Sequence, residues 1–268
     1  MLHLRAVALD RTRIPSDTGY PFSLLFLRAF EAIHFTTPVT FLVGENGTGK
    51  STLLAGIAAA IGSIVVGSDS MGQDPGMAPA RALARCLRLH WQVRTRKGFF
   101  LRAEDFINYA KQLSSLRAEM EQDLRDADAA YAHRSAYARN LAKMPFDGQL
   151  RALRQSYGEG LDKQSHGESF FNLFQARFIP GGVYLLDEPE TPLSPLKQLS
   201  LLALLKDMEQ QGGQFLIATH SPILMAYPGA TILSFDHTPV APVAYTDLDH
   251  VNLTRDFLNN PDAFLRHL

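Results

Sequence analysis

Apolar residues are distributed along this chain in short unbroken runs set between longer amphipathic stretches. Pro38–Val43 (PVTFLV), Val183–Leu186 (VYLL), Gln214–Ala218 (QFLIA) and Thr231–Phe235 (TILSF) are four to six residues each and nearly free of polar alternation. A run of that kind predicts a strand covered on both faces, as in a parallel sheet. Helix-forming stretches lie between and after them, at Thr52–Ile61, Pro195–Glu209 and Leu248–Leu268. Short buried strands alternating with helices predict an α/β fold, a mainly parallel sheet flanked by helices. The first 43 residues read differently. Leu2–Leu9 and Phe35–Val43 are strand candidates, and Pro15, Gly19 and Pro21 mark turns between them, so an N-terminal β-rich subdomain is expected. Arg88–Arg96 and Phe99–Ala103 read as a hairpin turning at Lys97-Gly98, and the Ser/Gly/Asp/Pro-rich stretch Gly67–Pro79 as a loop.

From residue 104 to 159 the pattern changes to Ala, Glu, Asp, Arg and Leu with few glycines. This predicts an inserted helical lobe within one domain, dividing its core into 1–103 and 160–268. At about 1.5 Å per residue, each arm of such a lobe reaches at most ~40 Å, far short of a long coiled coil.

Composition narrows the setting. The 268 residues are 46% apolar, enough for a large buried core, and the net charge of −1 gives no global attraction to nucleic acid or acidic lipid. The single cysteine, Cys86, precludes an internal disulfide framework and is expected to be a small buried hydrophobe. No apolar run approaches a membrane span, since Ile57–Val66 is short and broken by Gly62, and the N-terminus shows no basic segment followed by an apolar one. The expectation is a cytoplasmic protein without membrane insertion.

The chemistry concentrates at Gly44-Glu45-Asn46-Gly47-Thr48-Gly49-Lys50-Ser51-Thr52. Three glycines let the backbone curl until several N–H groups aim at one point. Lys50 supplies charge for β- and γ-phosphates, and the Ser51 hydroxyl can ligate Mg²⁺. The strand before and the helix after this loop are the context a phosphate-binding loop requires. A second constellation ends the Val183–Leu186 run in Asp187-Glu188. A buried strand there delivers both acids to its C-terminal edge, Asp187 to the Mg²⁺ shell and Glu188 to orient and polarise a water as general base. Ser165 and Gly167 precede a helical run, where a hydroxyl and backbone N–H groups form an anion site. The same residues, with Glu168, equally make an ordinary capping box. His220 follows another buried strand and could donate to a γ-phosphate.

The ordered set resembles the ABC-type P-loop ATPases. Gly44–Thr52 is similar to Walker A, Gln164–Glu168 to the signature motif, Val183–Glu188 to Walker B, Glu190–Ser194 to the D-loop and His220 to the switch histidine. The Asp-Glu-Pro-Glu run with Ala-Thr-His-Ser-Pro resembles the non-transporter branch of DNA repair and chromosome maintenance, and within it a group of small bacterial ATPases. The resemblance implies an ATPase using ATP and Mg²⁺ as a head-to-tail homodimer. Lys50 and Ser51 of one subunit would bind the phosphates, Ser165 and Gly167 of the other would cap the γ-phosphate, and Glu188 and His220 would act on the attacking water and the γ-phosphate. ATP would hold the interface closed and hydrolysis would release it. The chain departs from the pattern at three places. His166 stands where glycine is usual, Ser194 where aspartate is common, and Glu104 near the place of the Q-loop glutamine. A carboxylate at 104 could reach Mg²⁺ through water but could not donate to a phosphate. Tyr20, Phe22 and Phe30 lie where the family often places an adenine-stacking aromatic, though core packing suits any one of them.

What such an ATPase drives is less legible. Arg81, Arg85, Arg88, Arg94, Arg96, Lys97 and Arg102 form a basic segment without an intervening acid, with Trp91 inside it. This is either a phosphate-tracking face for nucleic acid or a solvated edge. The reading favoured is a soluble ATPase coupling closure to a partner protein or nucleic acid in repair, maintenance or defence. The ATPase subunit of a membrane transporter and a nucleotide-gated binding module with little turnover are the alternatives.

Overall fold

The protein was analysed as a computed structural model that describes residues 2–16, 19–66, 75–157, 171, 174–175 and 177–266. Side chains are described for these residues except 75, 107–114, 139 and 149–157. Two compact units emerge, one of Met1–Ala103 with Phe178–Leu268 and one of Glu104–Arg177. The sequence pattern closes the insert at 159, and the second unit runs on to Arg177.

The first unit is built on seven strands: β3 (Val39–Val43), β4 (Ile64–Val66), β6 (Phe99–Arg102), β7 (Val183–Asp187), β8 (Gln214–Ala218), β9 (Thr231–Ser234) and β10 (Ala241–Pro242). Their order is β10-β9-β3-β8-β7-β6-β4, and every pairing is parallel except that of the edge strand β10. β3, β7 and β8 are buried along their whole lengths, as their unbroken apolar runs require. The register sets Leu42 opposite Ala218, Ala218 opposite Asp187, and Asp187 opposite Arg102. Four positions far apart in sequence thus form one row at the C-terminal edge of the sheet. Beyond that edge chains leave for α2 (Lys50–Ile61), α6 (Pro195–Gln210) and α7 (Pro222–Met225). Leu53, Leu54, Ile57 and Ala58 of α2 are buried in the central cluster with Leu42, Phe100, Leu185 and Leu216.

A second sheet of three antiparallel strands, β2-β1-β5, uses β1 (Leu4–Leu9), β2 (Ala32–His34) and β5 (Leu87–Trp91). It corrects the expected hairpin between Arg88–Arg96 and Phe99–Ala103. β5 pairs with β1, whereas β6 pairs with β7 and β4 in the parallel sheet. The reason lies at Gly98, which has φ +118° and whose Cβ, if it had one, would fall 1.8 Å from the Val183 carbonyl oxygen. The glycine lets the chain pass hard against the start of β7 instead of turning back on β5. Cys86, at the end of α3 (Ala78–Cys86), is buried. Of the expected Gly67–Pro79 loop, 67–74 lie outside the described residues, and Pro75–Met77 form a 3₁₀ turn into α3. The C-terminal tail is two helices, α8 (Asp249–Asn259) and α9 (Pro261–Leu265), parted at Asn260, whose side chain caps the second.

One buried side chain ties the two sheets together. Gln214, fully buried at the start of β8, accepts the N–H groups of His3 and Leu4 (both 2.8 Å) and donates to the Leu4 carbonyl (2.8 Å). These satisfy main-chain groups of β1 at the point where its ladder with β5 is irregular. The second unit contains α4 (Ala103–Ala130) and α5 (Ala136–Tyr157), with an ion pair between Lys143 and Asp128 and an i,i+4 pair from Arg117 to Glu121 at 2.9 Å.

Replacing Gln214 by Leu roughly keeps the volume but takes the partner from two donors and one acceptor in the backbone of His3 and Leu4. The expected loss is about 3 kcal/mol or more, read as a lower urea midpoint with an unchanged slope. A midpoint within error of the wild-type value would show that the Gln214 bonds contribute nothing.

Candidate nucleotide site

The loop from Gly44 to Gly49 joins β3 to α2 at the row just described, and its shape depends on glycine. Gly44 has φ +137°, and a Cβ there would lie 2.8 Å from the Asp236 carboxylate; Gly49 has φ +101°, and a Cβ there would lie 2.5 Å from the Phe26 ring. The loop is therefore closed in on both sides, and any side chain at either glycine would displace a neighbour. Asp236 follows β9, and its Oδ1 accepts the Glu45 N–H at 2.7 Å. The Thr48 hydroxyl donates to the Glu45 carbonyl at 2.8 Å, closing the turn from within. Asn46 and Gly47 are exposed at its tip.

Lys50 is buried, and its ammonium donates to the carbonyl oxygens of Gly44 (2.6 Å) and Glu45 (2.8 Å). Burial pushes its pKa below the ordinary lysine value, while Asp236, Glu188, Asp187 and Glu45 pull it back up. The ammonium thus lies inside its own loop with four carboxylates around it. Ser51, the next residue, donates its hydroxyl to Asp187 Oδ1 at 2.9 Å. A hydroxyl and a buried carboxylate converging beside a lysine are a donor set that fits Mg²⁺ bound to phosphate. The Thr52 hydroxyl meets the Tyr20 hydroxyl at 2.7 Å. Tyr20 is 60% exposed, whereas Phe30 is buried in the core edge-on to Phe26 and Phe22 is partly buried against the same core.

Asp187 ends β7, and the chain then turns through Glu188 at φ +50°, the one non-glycine with positive φ among the described residues. A glutamate in the left-handed region costs of order 1 kcal/mol or more, and such conformations gather where geometry serves a site. The turn is held by the Glu188 N–H to the Ala218 carbonyl (2.9 Å), and its side chain is left 44% exposed. His220 emerges from the end of β8 and places Nε2 4.0 Å from Glu188 Oε1. Burial, then the positive charge of Lys50, hold the imidazole below its ordinary pKa, so it is neutral at pH 7. Ser194 caps α6 by accepting the Lys197 N–H, a helix start its sequence announces.

The structure therefore brings Lys50, Ser51, Asp187, Glu188 and His220 to one sheet edge. Glu104 is exposed in the first turn of α4 and belongs to the second unit. Ser165, Gly167 and His166 lie outside the described residues. Asp236 escapes sequence reading because nothing near it in the chain marks it; only the pairing of β9 with β3 carries it to Gly44. The basic residues from Arg81 to Arg102 are spread over α3, β5, the loop after it and β6. Arg88 bonds Asp10 (2.8 and 3.1 Å) and Lys97 donates to the Pro180 carbonyl (3.2 Å), while Arg94 and Arg96 are exposed.

A family model described as "AAA domain, putative AbiEii toxin, Type IV TA system" matches residues 171–226, which carry Asp187, Glu188 and His220. A model described as "AAA domain" matches residues 23–77, which carry the glycine loop. The hemin import ATP-binding protein HmuV of Pseudomonas aeruginosa is 26% identical over 189 residues, 69% of this chain and 67% of that protein. The cytochrome c biogenesis ATP-binding export protein CcmA of Paramagnetospirillum magneticum is 27% identical over 204 residues, 75% of this chain and 82% of that protein. Among solved structures, the Smc head domain of Pyrococcus furiosus with an extended coiled coil, bound to the C-terminal domain of ScpA, is 11% identical. That match covers 97% of this chain and 99% of the Smc head at a TM-score of 0.46. Among the described residues no helix is long and apolar enough to cross a membrane.

Proposed function

We propose that this chain is a P-loop ATPase of ABC-like type, which binds ATP with Mg²⁺ and hydrolyses it in a site that a second copy of the chain completes. The observation that carries this reading is the Ser51–Asp187 bond beside the buried Lys50, with Glu188 and His220 at the same strand ends. The N–H groups of Gly44–Thr52 and the Lys50 ammonium receive the phosphates, the ammonium exchanging its two loop carbonyls for phosphate oxygens. Ser51 and Asp187 are the residues that would hold Mg²⁺, which when bound neutralises charge on the β- and γ-oxygens. Glu188 orients a water and takes its proton as the water oxygen bonds to the γ-phosphorus and the bond to the β-bridging oxygen breaks. Neutral His220 donates an N–H to the γ-phosphate. Ser165 and Gly167 of the second copy supply a hydroxyl and backbone N–H groups to the same phosphate. Tyr20 stacks on the base.

Glu188→Gln removes the proton acceptor but keeps the shape, so it should bind ATP without consuming it. Light scattering on this variant should show a monomer mass that doubles only with Mg-ATP. A mass indifferent to ATP would remove the support for Ser165 and Gly167 acting across an interface.

Two finer readings follow. Glu104 senses the metal through a bridging water, so Glu104→Ala should raise the Mg²⁺ concentration needed for half-maximal turnover. An unchanged Mg²⁺ dependence would sink that role. The closed dimer grips a partner protein or, through the exposed Arg94 and Arg96, the phosphates of nucleic acid. In the nucleic-acid case, affinity should fall steeply with salt, and reversing both charges should flatten that dependence; binding that ignores both would leave the protein partner.

A second reading is favoured by the likeness to HmuV and CcmA, whose names place them in import and export. In it the chain is the ATPase subunit of a transporter, and copurification with a membrane protein would establish it.

A further inference from the structure

We propose that Glu190 is a positioning residue for His220, the strut through which the segment after Glu188 sets where the imidazole stands. This rests on the reading of His220 as a γ-phosphate contact. β8 ends at Ala218, so the next three residues leave the ladder with N–H groups that need partners. The Thr219 N–H goes to the Leu42 carbonyl at 3.2 Å, and the Ser221 N–H to the Thr219 hydroxyl oxygen at 3.0 Å. The His220 N–H goes to Glu190 Oε1 at 2.7 Å, a short charge-assisted bond reaching back thirty residues in sequence.

Glu190 is itself fixed at both ends. It lies in the turn that follows Glu188, where the Thr191 N–H donates to the Glu188 carbonyl (3.1 Å) and the Leu193 N–H to the Glu190 carbonyl (2.8 Å). A parallel tie runs beside it. The Ser221 hydroxyl donates to Gln198 Oε1 at 2.5 Å, and Gln198 Nε2 donates to the Leu193 carbonyl at 3.1 Å. The residue bearing the imidazole is therefore held at its own N–H and at the next side chain, both times from the segment 190–198. His220 Nε2 has no hydrogen-bond partner among the described residues. Glu188 Oε1 stands 4.0 Å from Nε2, beyond hydrogen-bond reach, so no hydrogen bond at Nε2 fixes the ring, and the backbone that Glu190 holds sets where it starts.

The residue type supports the assignment. Burial pushes the Glu190 carboxyl above its ordinary pKa, with the bonds from Thr219 and His220 pulling it down. A carboxylate kept there against its desolvation does something an apolar side chain would not: it accepts a main-chain N–H in a fixed direction. Because Glu190 begins the segment that runs to Ser194, any shift of that segment on closure is delivered to His220 and Glu188 together.

The test uses the full chain labelled with ¹³C,¹⁵N-histidine, with His220→Asn to identify the His220 signals. Glu190→Met fills the space but removes the acceptor, and Glu190→Gln keeps an acceptor oxygen. Expected for Glu190→Met are displaced or broadened His220 signals with the other histidines unmoved, a kcat lowered by about tenfold or more, and an ATP affinity changed by less than about threefold. Glu190→Gln should restore signals and kcat to within about threefold of wild type. If Glu190→Met does not fold, Glu190→Ala carries the same comparison. Unmoved His220 signals with unchanged kcat in the Met or Ala variant would overturn the proposal, as would a Gln variant no better than Met. If the wild-type chain turns over no ATP, the ATPase reading fails, and the histidine signals alone still decide whether Glu190 positions His220.

Discussion

The parallel register of β3, β8 and β7 is the constraint from which the site follows. Because Leu42, Ala218 and Asp187 stand in one row, the three chains leave the sheet at the same level. The glycine loop, the Asp187-Glu188 turn and His220 must then share one edge. A slip of a single residue in any of these pairings would turn the affected strand's side chains to the opposite face and shift its exit by about 3.3 Å. The bond from the Glu188 N–H to the Ala218 carbonyl continues the ladder one step beyond β7, and at Glu188 the backbone enters the left-handed region.

Charge at this edge is arranged around a buried cation. Lys50 has Gly44 and Glu45 carbonyls at hydrogen-bond distance and four carboxylates in its field. A buried ammonium needs such partners, since desolvation alone would favour the neutral amine. The same cation helps keep His220 neutral. Asp236 takes part in both aspects: it accepts the Glu45 N–H, shaping the loop, and it contributes negative charge opposite the lysine. Loop geometry and electrostatics are therefore coupled through one residue that sits on β9's exit.

Beside the central sheet, the small β2-β1-β5 sheet depends on Gln214. A polar side chain at the start of a fully buried strand would be costly if unpaired, and each of its three polar contacts goes to the backbone of residues 3 and 4. The site and this junction lie at opposite ends of β8, one at Gln214 and one beyond Ala218. A single five-residue strand thus connects the N-terminal sheet to the segment that carries His220.

The sequence alone determined the strand runs and the parallel α/β class, and it marked the glycine loop, the paired carboxylates and His220 as the candidates that the sheet then brings to one edge. Each of these is written locally, as apolar run length, glycine spacing or a charged pair ending a buried run, and local patterns survive without knowledge of neighbours. The expected hairpin of Arg88–Arg96 with Phe99–Ala103 failed because strand partners are chosen by long-range packing; Gly98 accommodates a close pass by Val183 that no hairpin signal reveals. Asp236, Gln198 and the part played by Glu190 in holding His220 were likewise decided only by the tertiary structure. Their partners lie between 23 and 191 residues away along the chain, and a hydrogen bond spanning such a separation leaves no periodic trace in the sequence.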